Sequence, residues 1–87
     1  MAVINSIIEQ GLVDKDYVDN YVVGYEELAV RAKDRTPEWA EEITGIPAAD
    51  IRQLAKDLAT EQPAAIRMGV ALERSYGGGQ AVRAVTC

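Results

Sequence analysis

The stretch that decides how this chain is read runs from Thr36 to Gly79. It contains Thr36-Pro37-Glu38-Trp39, Thr44-Gly45-Ile46-Pro47, Ala64-Ala65-Ile66, Gly69 and Gly77-Gly78-Gly79. Thr36 before Pro37 is a helix start. A proline at the first helical position has no N–H to leave unpaired, and the threonine hydroxyl caps the next free donors. Trp39, Ala40 and Ile43 share one face of that helix, and Gly45 ends it. Ile46-Pro47 opens the next helix by the same logic. There Ile51, Leu54, Ala55 and Leu58 recur at three- and four-residue spacing, which predicts a helix over 48–60. Pro63 stops it. Residues 64–69 then read as a short strand, with Arg67 making it less apolar than a fully buried one. The glycine triplet marks a turn, and Gln80, Val82, Arg83 and Val85 begin a final helix.

Towards the N-terminus, Val3, Ile4, Ile7 and Ile8 predict a helix over 2–10, closed by Gly11. Asp14 is placed to cap a second helix with Tyr17, Val18 and Tyr21 on one face, and Gly24 breaks it. Tyr25, Leu28, Ala29 and Ala32 form a third stripe, with Glu26 and Glu27 in the favourable first turn. The fold class expected is therefore a mostly helical α/β fragment. It has about five helices and one strand, residues 64–69, that would join a parallel sheet. In a chain of 87 residues such a strand has nothing to pair with, so the chain reads as a piece of something larger.

Composition removes several function classes. The net charge of −5 speaks against a nucleic-acid binder or a binder of anionic membranes, since neutralising phosphates takes clustered Lys and Arg. There is no His, the commonest general base and metal ligand. The single cysteine, Cys87, has no partner for an internal disulfide and nothing beside it in sequence to lower its pKa. No apolar run approaches the ~20 residues that span a bilayer. The first residues lack the basic region and cleavage site of a signal peptide. A soluble chain, cytoplasmic as expressed, is the expectation, with the localisation of any longer protein left open.

Few residues invite chemistry. Glu41 and Glu42 are adjacent on a helix and point two ways, so they are no carboxylate dyad. Gly77-Gly78-Gly79 has two readings. One is a phosphate site at a helix N-terminus. The other is a helix entry in which small residues allow close packing. Neither the P-loop Lys-Ser/Thr pair nor the Gly-x-Gly-x-x-Gly spacing is present. The loop from Gly69 to Tyr76 is better placed, because ligands of open α/β sheets lie beyond the carboxyl ends of strands. It carries Glu73, Arg74, Ser75 and Tyr76, all able to hydrogen-bond.

The ordered set Tyr21-Val22-Val23-Gly24-Tyr25-Glu26-Glu27-Leu28, Thr36 to Pro47, Ile51-Arg52-Gln53-Leu54-Ala55, Pro63 to Gly69, Leu72-Glu73-Arg74-Ser75 and Gly78 to Ala84 resembles the molybdopterin oxidoreductases. These are catalytic subunits of the formate dehydrogenase, nitrate reductase and dimethyl sulfoxide reductase type. The resemblance implies one segment, residues 1–87, of a central α/β cofactor-binding domain in a much longer subunit. That subunit would hold bis(molybdopterin guanine dinucleotide) with molybdenum or tungsten, and in many relatives an iron–sulfur cluster. It further implies that the loop after the strand approaches a pterin cofactor through a Gly-x-Gly-like pattern with a polar residue following. Gly69 matches the first glycine, Ala71 replaces the second, Val70 stands where relatives often carry Met, and Arg74 lies at or beside the polar position. Gly69, Val70, Glu73 and Arg74 are thus the cofactor-proximal candidates. The family's metal ligand lies in an earlier segment with no match here. The resemblance therefore implies that this piece alone retains no cofactor or metal and is inactive. Its partners would be the remainder of the catalytic subunit, or a second copy pairing through the unpaired strand. The rival expectation is a stand-alone helical protein-interaction module with a closed core.

Overall fold

The computed structural model describes all residues, 1–87. It contains six α-helices: α1 (Ala2–Glu9), α2 (Lys15–Tyr21), α3 (Tyr25–Ala32), α4 (Pro37–Thr44), α5 (Ala48–Thr60) and α6 (Gly78–Thr86). A 3-10 turn, Leu72–Arg74, precedes α6. The boundaries follow local chemistry. Asp14 accepts a hydrogen bond from Tyr17 N–H at 3.0 Å, and Thr36 Oγ1 accepts from Trp39 N–H at 3.2 Å, so both caps form as the sequence suggests. Gly45 closes α4 in the left-handed region at φ 75°, a conformation that costs glycine nothing. Pro47 lies one place before α5 instead of inside it. The start of that helix is served by Glu41, whose Oε2 accepts from Ala48 N–H at 3.2 Å.

α1 packs against α5, α4 and α3 and forms the centre of the molecule. Its buried face is not the expected isoleucine stripe. Ala2, Asn5 and Ser6 point inwards, while Val3, Ile4, Ile7 and Ile8 are half-buried. Small residues let the helices approach. The buried apolar residues are Ala2, Ala32, Ala40, Ala55 and Ile51, flanked by Val3 and Trp39. Asn5 makes this possible by donating from Nδ2 to the carbonyls of Ala32 at 2.9 Å and Lys33 at 3.3 Å. Both carbonyls lie at the C-terminus of α3, past the helix's own i+4 donors, and Ala32 O also accepts from Arg35 N–H at 3.0 Å.

The strand expected at 64–69 is absent. These residues join no ladder, all six are exposed, and the chain has six helices where about five were expected. The physical reason is the lack of a partner, since a strand exists only through hydrogen bonds to a neighbour. None of the backbone N–H groups of residues 64–71 donates to another backbone group of the chain. The last helix also begins two residues before Gln80, with Gly77 as its left-handed cap at φ 71°. The expected apolar faces of α2, α4 and α5 are partly uncovered. Tyr17 and Tyr21, both exposed, lie tilted against each other with ring centroids 5.4 Å apart, and Ile43 and Leu54 are exposed.

The accessible surface is 6861 Å², whereas a self-contained monomer of 9.5 kDa exposes roughly 5,000 Å². The surplus of about 1,800 Å² is more than twice what one partner contributes to an ordinary protein–protein interface.

Candidate functional site

The loop from Gly69 to Gly78 is compact although it carries little apolar cover. Leu72 N–H donates to Gly69 O at 3.5 Å, Arg74 N–H to Ala71 O at 3.3 Å, and Ser75 N–H to Leu72 O at 3.3 Å. Gly78 N–H then closes the loop onto Ser75 O at 2.9 Å. Gly78 is the one buried residue of α6. A Cβ there would lie 2.3 Å from Leu72 O and 2.8 Å from Glu73 Cα, both rigid backbone. The glycine triplet is thus used for close packing, and only Gly78 among the three has neighbours within 4 Å.

All four sequence-selected residues fall on this one loop. Gly69 and Val70 lead into it, Glu73 and Arg74 ride on the 3-10 turn, and all four are exposed. Gly69 has nothing within 4 Å of where a Cβ would stand, and its φ is not in the left-handed region. Nothing inside this chain therefore requires glycine at that position. Val70 and Ala71 N–H donate to no backbone group and Arg74 is exposed, so the loop carries free hydrogen-bond donors. Glu73 adds an acceptor that can pair with ring N–H donors.

A second, polar cleft of about 330 Å³ opens between α1, α3, α4 and α5. Asn5, Ser6, Glu9, Gln10, Lys33, Glu38 and Arg52 contribute to its wall, and no residue of the loop does. Its polar groups are largely committed to each other. Gln10 Nε2 donates to Ser6 Oγ at 2.7 Å, and Arg52 pairs with Glu38. The hydrogen bond from Arg52 holds the Glu38 carboxyl below the usual glutamate range. Sequence reading missed Asn5, which fixes the helix cluster, and offered close packing for the glycine triplet without singling out Gly78 as the residue that makes it. Polar Asn5 interrupting an apolar run was the available signal for the first. No three His, Cys, Asp or Glu side chains are grouped as metal ligands, and no helix is long and apolar enough to cross a membrane.

Comparison with known proteins joins these observations. Over 97% of its length the chain is 39% identical to acetylene hydratase from Syntrophotalea acetylenica. Over 92% of its length it is 40% identical to formate dehydrogenase H, and over 92% it is 33% identical to the dimethyl sulfoxide reductase DmsA, both from Escherichia coli K12. The chain belongs to the molybdopterin oxidoreductases. It matches a segment of them, spanning 12%, 11% and 12% of those three relatives. No family model matches the chain, and no solved structure matches it significantly. Within this molybdopterin oxidoreductase segment, the loop and the uncovered surface are the features with no partner inside the chain.

Proposed function

We propose that this chain is a structural segment of a molybdopterin-dependent oxidoreductase catalytic subunit. It supplies scaffold helices together with one segment and one loop of the pterin cofactor cleft, and it is inactive alone. The observation that carries this reading is the pairing of two quantities. Relatives align along nearly all of the chain yet are about eightfold longer, and the chain exposes about 1,800 Å² more than a self-contained domain would. A segment cut from a larger core has that surplus, because helix faces evolved for burial are left open.

The residues fit the cofactor's chemistry. Phosphates of a guanine dinucleotide suit Arg74 and the free amides near Gly69, and the guanine N–H edge suits the Glu73 carboxylate. Gly69 permits close approach of a flat ring, and Val70 offers an apolar contact. The molybdenum or tungsten centre, when bound in the longer subunit, supplies the two-electron redox chemistry. This chain's share is binding and orientation. α1, α3, α4 and α5 hold the backbone from which the loop projects, and Gly78 fixes the loop's shape.

The test is a chimera in which this chain replaces the matching 80 residues of formate dehydrogenase H. The expected result is retained molybdenum and releasable guanine nucleotide, both reduced by Arg74→Ala and by Gly69→Ala. A folded chimera whose metal and nucleotide content are indifferent to both substitutions overturns the site assignment. A chimera that folds but never takes up cofactor overturns the scaffold role.

A further inference from the structure

We propose that α2 together with Val22 and Val23 is a docking arm, and that its occupant is an apolar surface with a basic rim on the remainder of the catalytic subunit. The inference rests on the reading of this chain as a segment of such a subunit, and it names where the segment is fastened. α2 is the one helix of the six with no buried residue. The cluster is made by α1 against α3, α4 and α5, and α2 stands beside it. Inside the chain, α2 is held by local bonds. Asp14 caps Tyr17 N–H at 3.0 Å, and Asn20 Nδ2 donates to Asp16 O at 2.7 Å. Helices shorter than about 12–15 residues are marginal in water even when rich in alanine. α2 has seven residues and no alanine, and its Asp, Asn, Val and Tyr side chains are weak helix formers. Lasting order in α2 therefore calls for packing that the chain does not supply.

The residues also say what kind of surface supplies it. Five of the seven positions from Tyr17 to Val23 are apolar or aromatic. Tyr17, Val18 and Tyr21 share one face of the helix, and the chain runs on into Val22 and Val23. Tyr21 is 77% exposed and Val23 100%. Tyrosine suits the edge of a buried patch, because its ring is covered while its hydroxyl stays wet. The flanking charge has one sign. Asp14, Asp16, Asp19, Glu26 and Glu27 are all exposed, and Lys15 is the only base between residues 10 and 30. None of these acids is ion-paired, since the one ion pair of the chain joins Glu38 and Arg52. A matching surface carries Lys or Arg around an apolar centre. The same acidity disfavours a second copy of the arm, which would set like charges together. A partner is at hand, because the chain spans only 11–12% of its relatives.

The experiment compares the 87-residue chain with the chimera in which it replaces the matching 80 residues of formate dehydrogenase H. Amides of residues 18–21 should exchange almost freely in the chain alone and become protected in the chimera. The pair Tyr17→Ala and Tyr21→Ala raises helix propensity, so it does not melt α2 by itself. It should leave the urea midpoint of the chain alone unchanged. In the chimera it should shorten the half-life of the folded state in urea by about tenfold, the scale of losing buried aromatic anchors. Asp16→Lys with Asp19→Lys should also shorten that half-life, because the reversed charges oppose a basic rim. A folded chimera whose α2 amides stay unprotected, or whose half-life ignores the tyrosine pair, overturns the docking arm and leaves the segment reading standing. A half-life unchanged or lengthened by the charge reversal overturns the assigned partner chemistry. A dimer of the chain alone that the tyrosine pair abolishes gives the face to a second copy and overturns the proposal. A chimera that never folds removes the segment reading, and this inference with it.

Discussion

α5 and α6 are both amphipathic helices entered through a turn marked by proline or glycine, yet they use their faces differently. α5 buries Ile51 and Ala55 in the cluster built around α1. α6 buries only Gly78, against the backbone of the 3-10 turn. The same contrast divides the chain. Up to Thr60, order comes from side chains packed between helices. Beyond it, residues 61–71 are all exposed, and order returns only where backbone hydrogen bonds and one glycine close a loop. A helix cluster can thus be nearly complete within a segment while its neighbouring segment is shaped for partners the segment does not contain.

The sharpest way to break this contrast is to add bulk on each side of it. Ala55 is fully buried on α5, which packs against α1 and α4, so Ala55→Leu forces three extra carbons into the helix cluster. Overpacking of this kind costs roughly 1–3 kcal/mol. Urea unfolding followed by Trp39 fluorescence should show that loss. Ala71→Leu, at an exposed position before the 3-10 turn, should stay within about 0.5 kcal/mol. Equal effects would mean that the two regions share one core.

Asn5→Ala is next in size. It takes the side-chain donor from the Lys33 carbonyl and one of two donors from the Ala32 carbonyl, which keeps Arg35 N–H at 3.0 Å. Losing the partner of a buried polar group costs about 1–3 kcal/mol. The same urea experiment should place the loss near the lower end of that range, because the Ala32 carbonyl keeps Arg35 N–H and Lys33 is exposed. Asn5→Asp, which removes the donor but keeps the shape, should be no better. A neutral Asn5→Ala would mean that burying more apolar surface on α1 offsets the lost bonds.

Gly78→Ala asks whether the loop can fail without the cluster. The Cβ has no room beside Leu72 O and Glu73 Cα, and helix backbone cannot yield by rotamer change. Hydrogen exchange should show lost protection at Gly78 and Ala81, while the Trp39 transition moves by less than about 0.5 kcal/mol. Gly69→Ala is the control, with open space and an ordinary φ, and should change neither.

How far these features could be read beforehand depends on their range. Caps were legible, because Asp14 with Tyr17 and Thr36 with Trp39 are three residues apart and their chemistry is local. The loop was legible as a location, since Gly69, Val70, Glu73 and Arg74 do fall together. The strand at 64–69 was read from the apolar run after Pro63, and such a run becomes a strand only beside a partner, which this chain does not provide. The inward face of α1 was misread for a related reason. Hydrophobic spacing favours Ile4, Ile7 and Ile8, but the neighbours available in this chain are small and polar, and Asn5 bonds across 27 residues. The use of Gly78 for contact with Leu72 is a tertiary fact that no spacing rule carries.

The smallest effect belongs to Glu38 and Arg52, which tie α4 to α5 at the rim of the polar cleft. The hydrogen bond from Arg52 lowers the Glu38 pKa in the folded chain. A lowered carboxylate pKa means that the unfolded chain binds the proton more tightly. The stabilisation is therefore fully present above the ordinary glutamate range, near pH 4.3, and is lost as pH falls through the lower folded value. Both side chains are largely exposed, so solvent and salt screen the pair and the contribution stays small. Glu38→Gln should flatten the acid limb of the stability–pH curve slightly and leave neutral-pH stability almost unchanged. High salt should mimic the substitution. Should Glu38→Gln instead destabilise the chain strongly at neutral pH, the pair would be fastening α4 to α5. The helix cluster would then depend on surface charge as well as on its alanine-lined interior.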